Sequence, residues 1–300
     1  MNIPKKLQKN DKVAIIATAR KVKKEDLQPA INLLESWNLV TVIGSSIGLE
    51  NNQFAGSDKE RAADLQQQLD NPEIKAIWCA KGGYGTVRIL DLLDFSKFKK
   101  YPKWLIGYSD VTALHSHLNT LRIATLHGPI ALDIEKKPQK TRDILRKALF
   151  QEDLNYQFKS DSLNRNGTAK GELVGGNLSV LYSLMGSKTD LDLNGKILFL
   201  EDLDEYLYHI DRMLQNLKRN GWFKQLNGLI IGGMSNMNDN NIPFGKTAKE
   251  IIAETVAEYD FPVAFNFPAG HIDDNCTLLL GQKVNLQVEA KGSALKYSGF

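Results

Sequence analysis

Over the first 150 or so positions, short apolar runs alternate with stretches whose apolar residues recur every three or four positions. The runs at 13–18, 39–44, 74–80, 104–108 and 124–127 predict five strands. Between them, the spacings of Leu27, Ile31 and Leu34, of Leu65 and Leu69, and of Val87, Leu90 and Leu93 predict helices. Strands separated by helices build βαβ units around a parallel sheet. Ser57 stands three residues before Glu60, a capping box that starts a helix after the loop 47–56. A helix over 141–151 closes this half. The texture then changes: 153–168 is polar, holds Asn164, Asn166 and Gly167, has no periodicity, and predicts a linker. Beyond it, apolar runs predict strands at 171–174, 197–201, 229–234 and 263–267, with helices over 178–185, 206–220 and 248–259. In the helix 206–220, Leu207, Ile210, Leu214 and Leu217 form the inward stripe. Two apolar runs flank Gly281 and Gln282, so 277–290 reads as a hairpin. The expected fold is α/β: an N-terminal parallel-sheet sandwich domain over 1–152 and a smaller mixed α/β domain over 169–300.

Charge narrows the partners. Lys and Arg number 38 against 35 Asp and Glu, and the net +3 is spread without a long basic run, so nucleic acid is not an expected partner. The longest apolar stretches, 13–17 and 228–234, fall far short of the roughly 18 residues of a membrane span. Lys5, Lys6, Lys9 and Lys12 before a small apolar run imitate a signal peptide, but about five apolar residues are too few for its central region. Cys79 and Cys276 have no paired spacing, which points to a reducing cytoplasm and to neither disulfide nor metal. His115 and His117 are two apart on a predicted helix and cannot share a metal, so they read as packing or solvent histidines. The segment 244–247 lacks the first glycine of a phosphate loop, and 83–88 has Arg88 where a dinucleotide fingerprint ends in glycine. Thr247 reads as a helix start.

Four segments carry candidate chemistry. The run 104–108 leads directly into Ser109, Asp110 and a helix, placing a hydroxyl at a strand-to-helix corner on the carboxyl edge of the sheet; a helix N-cap is the alternative. The Lys81-Gly82-Gly83-Tyr84-Gly85 loop leaves another strand on that edge, and its glycines admit backbone amides close to a ligand. The apolar strand 197–201 ends in Glu201, with Asp202, Asp204 and Glu205 as competing acids. Pro268-Ala269-Gly270-His271 is a rigid turn ending in a histidine. Gly175-Gly176-Asn177 before a helix is a candidate cradle for a carboxylate.

Together these segments resemble the serine LD-carboxypeptidases of murein recycling, the family that includes the microcin C self-immunity peptidases. The resemblance runs through Phe54-Ala55-Gly56-Ser57-Asp58 with Arg61, Gly82–Gly85 with Arg88, Gly107-Tyr108-Ser109-Asp110, Gly175-Gly176-Asn177-Leu178, Leu200-Glu201-Asp202 with Tyr208, Asp211 and Arg212, and Pro268–His271 with Asn275. It implies Ser109 as nucleophile, Glu201 as orienting acid and His271 as base, in a cleft between the two domains. The oxyanion would be held by the backbone N–H groups of Gly83 and Asp110, and the substrate by Lys81, Gly82, Tyr84, Gly176 and Asn177. Also implied are a muropeptide tetrapeptide losing its terminal D-alanine, no metal or cofactor, and a homodimer. The chain departs from the family pattern at Ala17-Thr18-Ala19 and at Lys81, where arginine is usual. An immunity-type peptidase acting on a peptide-nucleotide antibiotic, and a non-catalytic binding protein for small peptides or sugars, are the competing readings.

Overall fold

The apolar runs become strands of two sheets. The computed structural model describes residues 1–298. Its first half comprises β1 (Lys12–Ile16), α1 (Gln28–Ser36), β2 (Val40–Ile43), α2 (Asp58–Asp70), β3 (Ile74–Cys79), α3 (Ser96–Lys100), β4 (Trp104–Gly107), α4 (Thr112–Thr120), β5 (Thr125–His127) and α5 (Gln139–Phe150). Then follow β6 (Asn155–Phe158), β7 (Gly167–Asn177), α6 (Leu178–Leu184), β8 (Ile197–Leu203), α7 (Leu207–Arg219), β9 (Gly228–Ser235), α8 (Ala248–Thr255), β10 (Val263–Ala264), β11 (Leu278–Leu280), β12 (Lys283–Glu289) and β13 (Gly292–Tyr297).

The first sheet runs β11-β5-β4-β3-β1-β2 and the second β10-β9-β8-β7-β12-β13-β6. β1 to β5 are parallel, as are β7 to β10, whereas β11, β12, β13 and β6 pair antiparallel. Parallel strands buried on both faces read as continuous apolar runs, which is why β3, β4 and β8 stand out in the sequence. One hydrophobic cluster joins Trp78, Ile106 and Leu126 of the first sheet to Leu173, Phe199 and Ile230 of the second.

The expected capping box and the expected helix start at Thr247 are both present: Ser57 accepts from the Glu60 N–H at the head of α2, and Thr247 from the Glu250 N–H at the head of α8, where the structure adds a second capping box. Three expectations are corrected. Residues 155–158, inside the expected linker, form β6, an edge strand against β13 in which Tyr156 is buried. Its alternation is too short to stand out from a polar stretch. The expected hairpin 277–290 does not pair with itself: at Gly281, φ +88°, the chain leaves β11 in the first sheet and enters β12 in the second. The hairpin of this region is β12–β13, turning at Ala290 and Lys291. The helix expected around Val87 is a 3₁₀ segment, Thr86–Leu92, whose tighter turn leaves Val87 and Leu92 exposed. Among the described residues no helix is long and apolar enough to cross a membrane.

Candidate active site

β4 delivers the nucleophile candidate. Gly107 abuts the first helical turn so closely that a Cβ on it would lie 2.8 Å from Val111, and Ser109 adopts a left-handed φ of +64°. A non-glycine residue in that region costs on the order of 1–3 kcal/mol and is tolerated where the surroundings impose it. The surroundings are explicit here. His115, fully enclosed on α4, binds the Gly107 carbonyl through Nε2 (2.9 Å) and Thr125 through Nδ1 (2.8 Å). Burial lowers its pKa to about 3. It is a packing histidine that fastens the corner from beneath. His117 packs its ring on Phe95 instead.

The Asp110 side chain does what its position in the sequence does not reveal. Its Oδ2 accepts the Thr86 N–H at 2.9 Å, tying the serine corner to the glycine loop that follows β3. Arg61, fully buried, braces the same loop by donating to the Gly85 carbonyl (3.0 Å) and to that of Thr18, and it pairs with Asp58. Asp58 is shared with Arg88, and both guanidiniums flank the Phe54 ring at 5.0 and 5.6 Å. Phe54 supports Tyr84, which is exposed at the rim. Gly82 lies against the nucleophile: a Cβ there would sit 3.2 Å from the Ser109 Cβ. Gly83, with φ +107°, faces the Arg20 side chain. Lys81 lines an adjacent cavity of about 270 Å³ with Val22, Leu49 and Leu132.

The second sheet carries the candidate acid, and the turn after it the candidate base. The Glu201 carboxylate is wholly buried within β8, where the register against β9 slips between Leu200 and Asp202. Opposite this bulge β9 runs through Gly232 and Gly233, and the Gly233 N–H donates to the Ala269 carbonyl at 2.9 Å, so the 268–271 turn approaches Glu201 directly. His271 Nδ1 lies 2.7 Å from Glu201 Oε2, and its backbone N–H donates to the same oxygen at 3.2 Å. The Ser235 hydroxyl donates to the His271 carbonyl, and the Gly270 N–H donates to Asn275 Oδ1, both at 2.8 Å. The Tyr108 ring stands 4.7 Å from the imidazole, bringing the residue before Ser109 against His271. Among the described residues no hydrogen bond joins Ser109 to His271. Such contacts are often long before a substrate closes them.

Burial opposes ionisation of Glu201, but the His127 and His271 imidazoles overcome it and lower the carboxyl pKa to about 2. Its ordinary value is 4.5, so this group contributes stability that is fully present above about pH 4.5 and is lost as pH falls through about 2. Glu201→Gln should therefore be less stable than the parent at neutral pH, by on the order of 3 kcal/mol. Thermal unfolding followed from pH 7 to pH 3 should show that gap narrowing. A gap independent of pH would place the carboxyl in its ordinary range.

The competing acids have other engagements. Asp202 accepts Asn177 Nδ2 and the Ser179 N–H, both at 2.8 Å, and burial followed by the neighbouring Glu201 charge raises its pKa to about 6. Asp204 accepts from Asn238, and Glu205 pairs with His209 at 2.6 Å. The same contacts engage the segment 175–177, the expected carboxylate cradle, inside the fold. Asn177 is the cap of α6, its Oδ1 accepting the Val180 N–H (3.1 Å) and its own N–H donating to Thr112 Oγ1 (3.0 Å). A Cβ on Gly176 would lie 2.6 Å from that hydroxyl. Gly176 and Asn177 are buried, and their small size and polarity serve the seam between the serine helix and the second sheet.

Comparison with known proteins fits this arrangement. Residues 13–128 match the family described as the LD-carboxypeptidase N-terminal domain, and 170–286 match the LD-carboxypeptidase C-terminal domain. The probable murein peptide carboxypeptidase of Bacillus subtilis (strain 168) is 35% identical over 98% of this chain and 94% of its own length. The crystal structure of muramoyltetrapeptide carboxypeptidase from Oxalobacter formigenes superposes with a TM-score of 0.88 at 28% identity, covering 96% of this chain and 99% of that one. The microcin C7 self-immunity protein of Escherichia coli is 25% identical over 88% of this chain and 86% of its own length. The chain belongs to the LD-carboxypeptidase family.

Proposed function

We propose that this protein is a serine LD-carboxypeptidase that removes the terminal D-alanine from murein tetrapeptides, with Ser109, His271 and Glu201 as its catalytic residues. The observation that carries the reading is the buried Glu201–His271 pair at 2.7 Å, set beside a serine held at a left-handed corner. His271 Nε2 takes the proton of Ser109 as Oγ attacks the carbonyl carbon of the diamino residue. Glu201 fixes the imidazole through Nδ1–H and stabilises the imidazolium. The peptide bond breaks as the imidazolium returns its proton to the departing D-alanine nitrogen, and water then cleaves the acyl-enzyme. The N–H groups of Gly83 and Asp110 hold the oxyanion, each worth about 3 kcal/mol in comparable hydrolases. Lys81, Gly82 and Tyr84 face the substrate. The same reading puts the enzyme in the cytoplasm, where buried free Cys79 and Cys276 stay reduced, and makes it a homodimer, as the family resemblance implies. It has neither nucleic-acid nor membrane partners, in keeping with its dispersed charge.

Incubating the protein with a tetrapeptide ending in a diamino acid and D-alanine, and weighing the products, tests this reading. Loss of one alanine is expected. Cleavage of a peptide-nucleotide amide with the tetrapeptide left intact would move the protein to the immunity branch of the family. A carboxypeptidase also has to hold the free terminal carboxylate, and donors aimed at that anion are left unpaired when it is missing, at about 1–3 kcal/mol per group. Amidating the terminal D-alanine should lower kcat/KM by roughly tenfold to several hundredfold. Equal turnover of acid and amide would make the enzyme an amidase or endopeptidase.

A further inference from the structure

The catalytic pair leaves one atom of Glu201 unaccounted for. Oε2 receives both donors of His271, while Oε1, equally buried, has no hydrogen bond among the described residues. A buried charged oxygen without a donor is costly, and the group that faces it is His127, whose Nε2 lies 4.0 Å away. His127 is itself fully buried, and neither of its ring nitrogens has a hydrogen-bond partner among the described residues. Its ring is confined by the Phe199 edge at 5.1 Å, Tyr108 at 6.0 Å and His115 at 6.1 Å. Two unpartnered polar atoms thus point at each other inside the protein. They come from different sheets: His127 ends β5, in register with Gly107 at the serine corner, and Glu201 lies on β8 at its bulge against β9.

We propose that His127 is a positioning residue for the catalytic acid, donating Nε2–H to Glu201 Oε1. The 4.0 Å separation exceeds hydrogen-bond length, and a small rotation of either side chain closes it. With Oε1 held from the serine's sheet and Oε2 on His271 Nδ1, the carboxylate plane is fixed at both ends. The imidazole is then aligned relative to Ser109 by the same strand pair, β4–β5, that carries the nucleophile. His127 touches neither substrate nor the reacting atoms and acts only through Glu201. This inference rests on the proposed roles of Ser109, Glu201 and His271.

Two amide variants test it, because they place a donor at different ring positions. In His127→Gln the side-chain nitrogen reaches the place of Nε2, and in His127→Asn it reaches only that of Nδ1. Against the D-alanine tetrapeptide, His127→Gln should keep kcat within about fivefold of the parent. His127→Asn should lose about ten- to a hundredfold in kcat with KM changed less than twofold, the range typical of groups that orient an active ligand from behind. A merely structural histidine would give two variants alike in kcat, and that result overturns the proposal, as does a loss that falls on KM. His127→Leu, judged by its melting temperature beside its kcat, covers the case in which the asparagine variant unfolds: a folded leucine variant with parental kcat also overturns it. Ser109→Ala run in parallel separates the two levels. If that variant stays active, the triad itself is wrong; if it is dead while all His127 variants are fully active, only the role of His127 falls.

Discussion

Ser109→Ala should fold as the parent does and lose turnover by about four to six orders of magnitude, the scale seen when one member of a hydrolytic triad is removed. The structure separates the two effects. The hydroxyl makes no hydrogen bond to the rest of the protein among the described residues, so deleting it breaks no internal contact. The left-handed φ of +64° is imposed by the Gly107–Val111 approach and the His115 anchor, and alanine meets the same strain as serine. The melting temperature should move by no more than a few degrees. Release of D-alanine from the tetrapeptide, followed by mass spectrometry over hours, gives the readout. Turnover within tenfold of the parent would remove Ser109 from its role.

A second large effect is expected one residue before the base. Gly270 has φ +105°, and a Cβ built on it would lie 2.7 Å from both Cβ and Oε2 of Glu201. Neither side can yield: Glu201 is enclosed within β8, and the turn is fixed by the Asn275 and Gly233 hydrogen bonds. Gly270→Ala must therefore push His271 off Oε2 or displace the carboxylate. A misplacement of about 1 Å in such a group costs about a hundredfold, and we expect at least that loss in kcat. Backbone strain adds a stability cost of about 1–3 kcal/mol. Gly186→Ala is the matched control, since Gly186 also has a positive φ, +74°, yet has nothing within 4 Å of its Cβ position. It should lose stability and keep its turnover. Parental kcat in a folded Gly270→Ala protein would show that the turn does not need to touch the acid.

The parallel strands were readable because burial on both faces leaves an uninterrupted apolar run, and the proposed catalytic positions because each lies where such a run ends. What the sequence hides are contacts decided between sheets. Nothing in the apolar triplet 278–280 says that it joins β5 and not its neighbour 283–289. Gly175-Gly176-Asn177 looks like an anion cradle by composition, and only the structure shows that the Asn177 N–H donates to Thr112 of α4. The preference for Glu201 over Asp202, Asp204 and Glu205 rests in the sequence on its place at the end of an apolar run and on the family motif; in the structure Glu201 is the carboxylate bonded to His271, while the others have other partners. His127 offered no sequence signal beyond closing a strand, because its significance lies in an acid 74 residues further on that reaches it from the other sheet.

The excursion of the chain through β11 sets a limit on modularity. Between β10 in one sheet and β11 in the other lies the turn that carries His271, so the proposed base is slung between two structures that the sequence presents as successive domains. A cut near residue 152 would leave the first half with β5 as a bare edge, its backbone donors and acceptors open to pairing with other chains. The other half would keep an orphan apolar triplet with no sheet to enter. Gene fusion or exchange of one half for a homologous one therefore has to preserve the fit of Leu278–Leu280 against Thr125–His127, as well as the chemistry of the cleft. Across the two halves, inheritance of the active site and inheritance of that antiparallel seam are a single requirement.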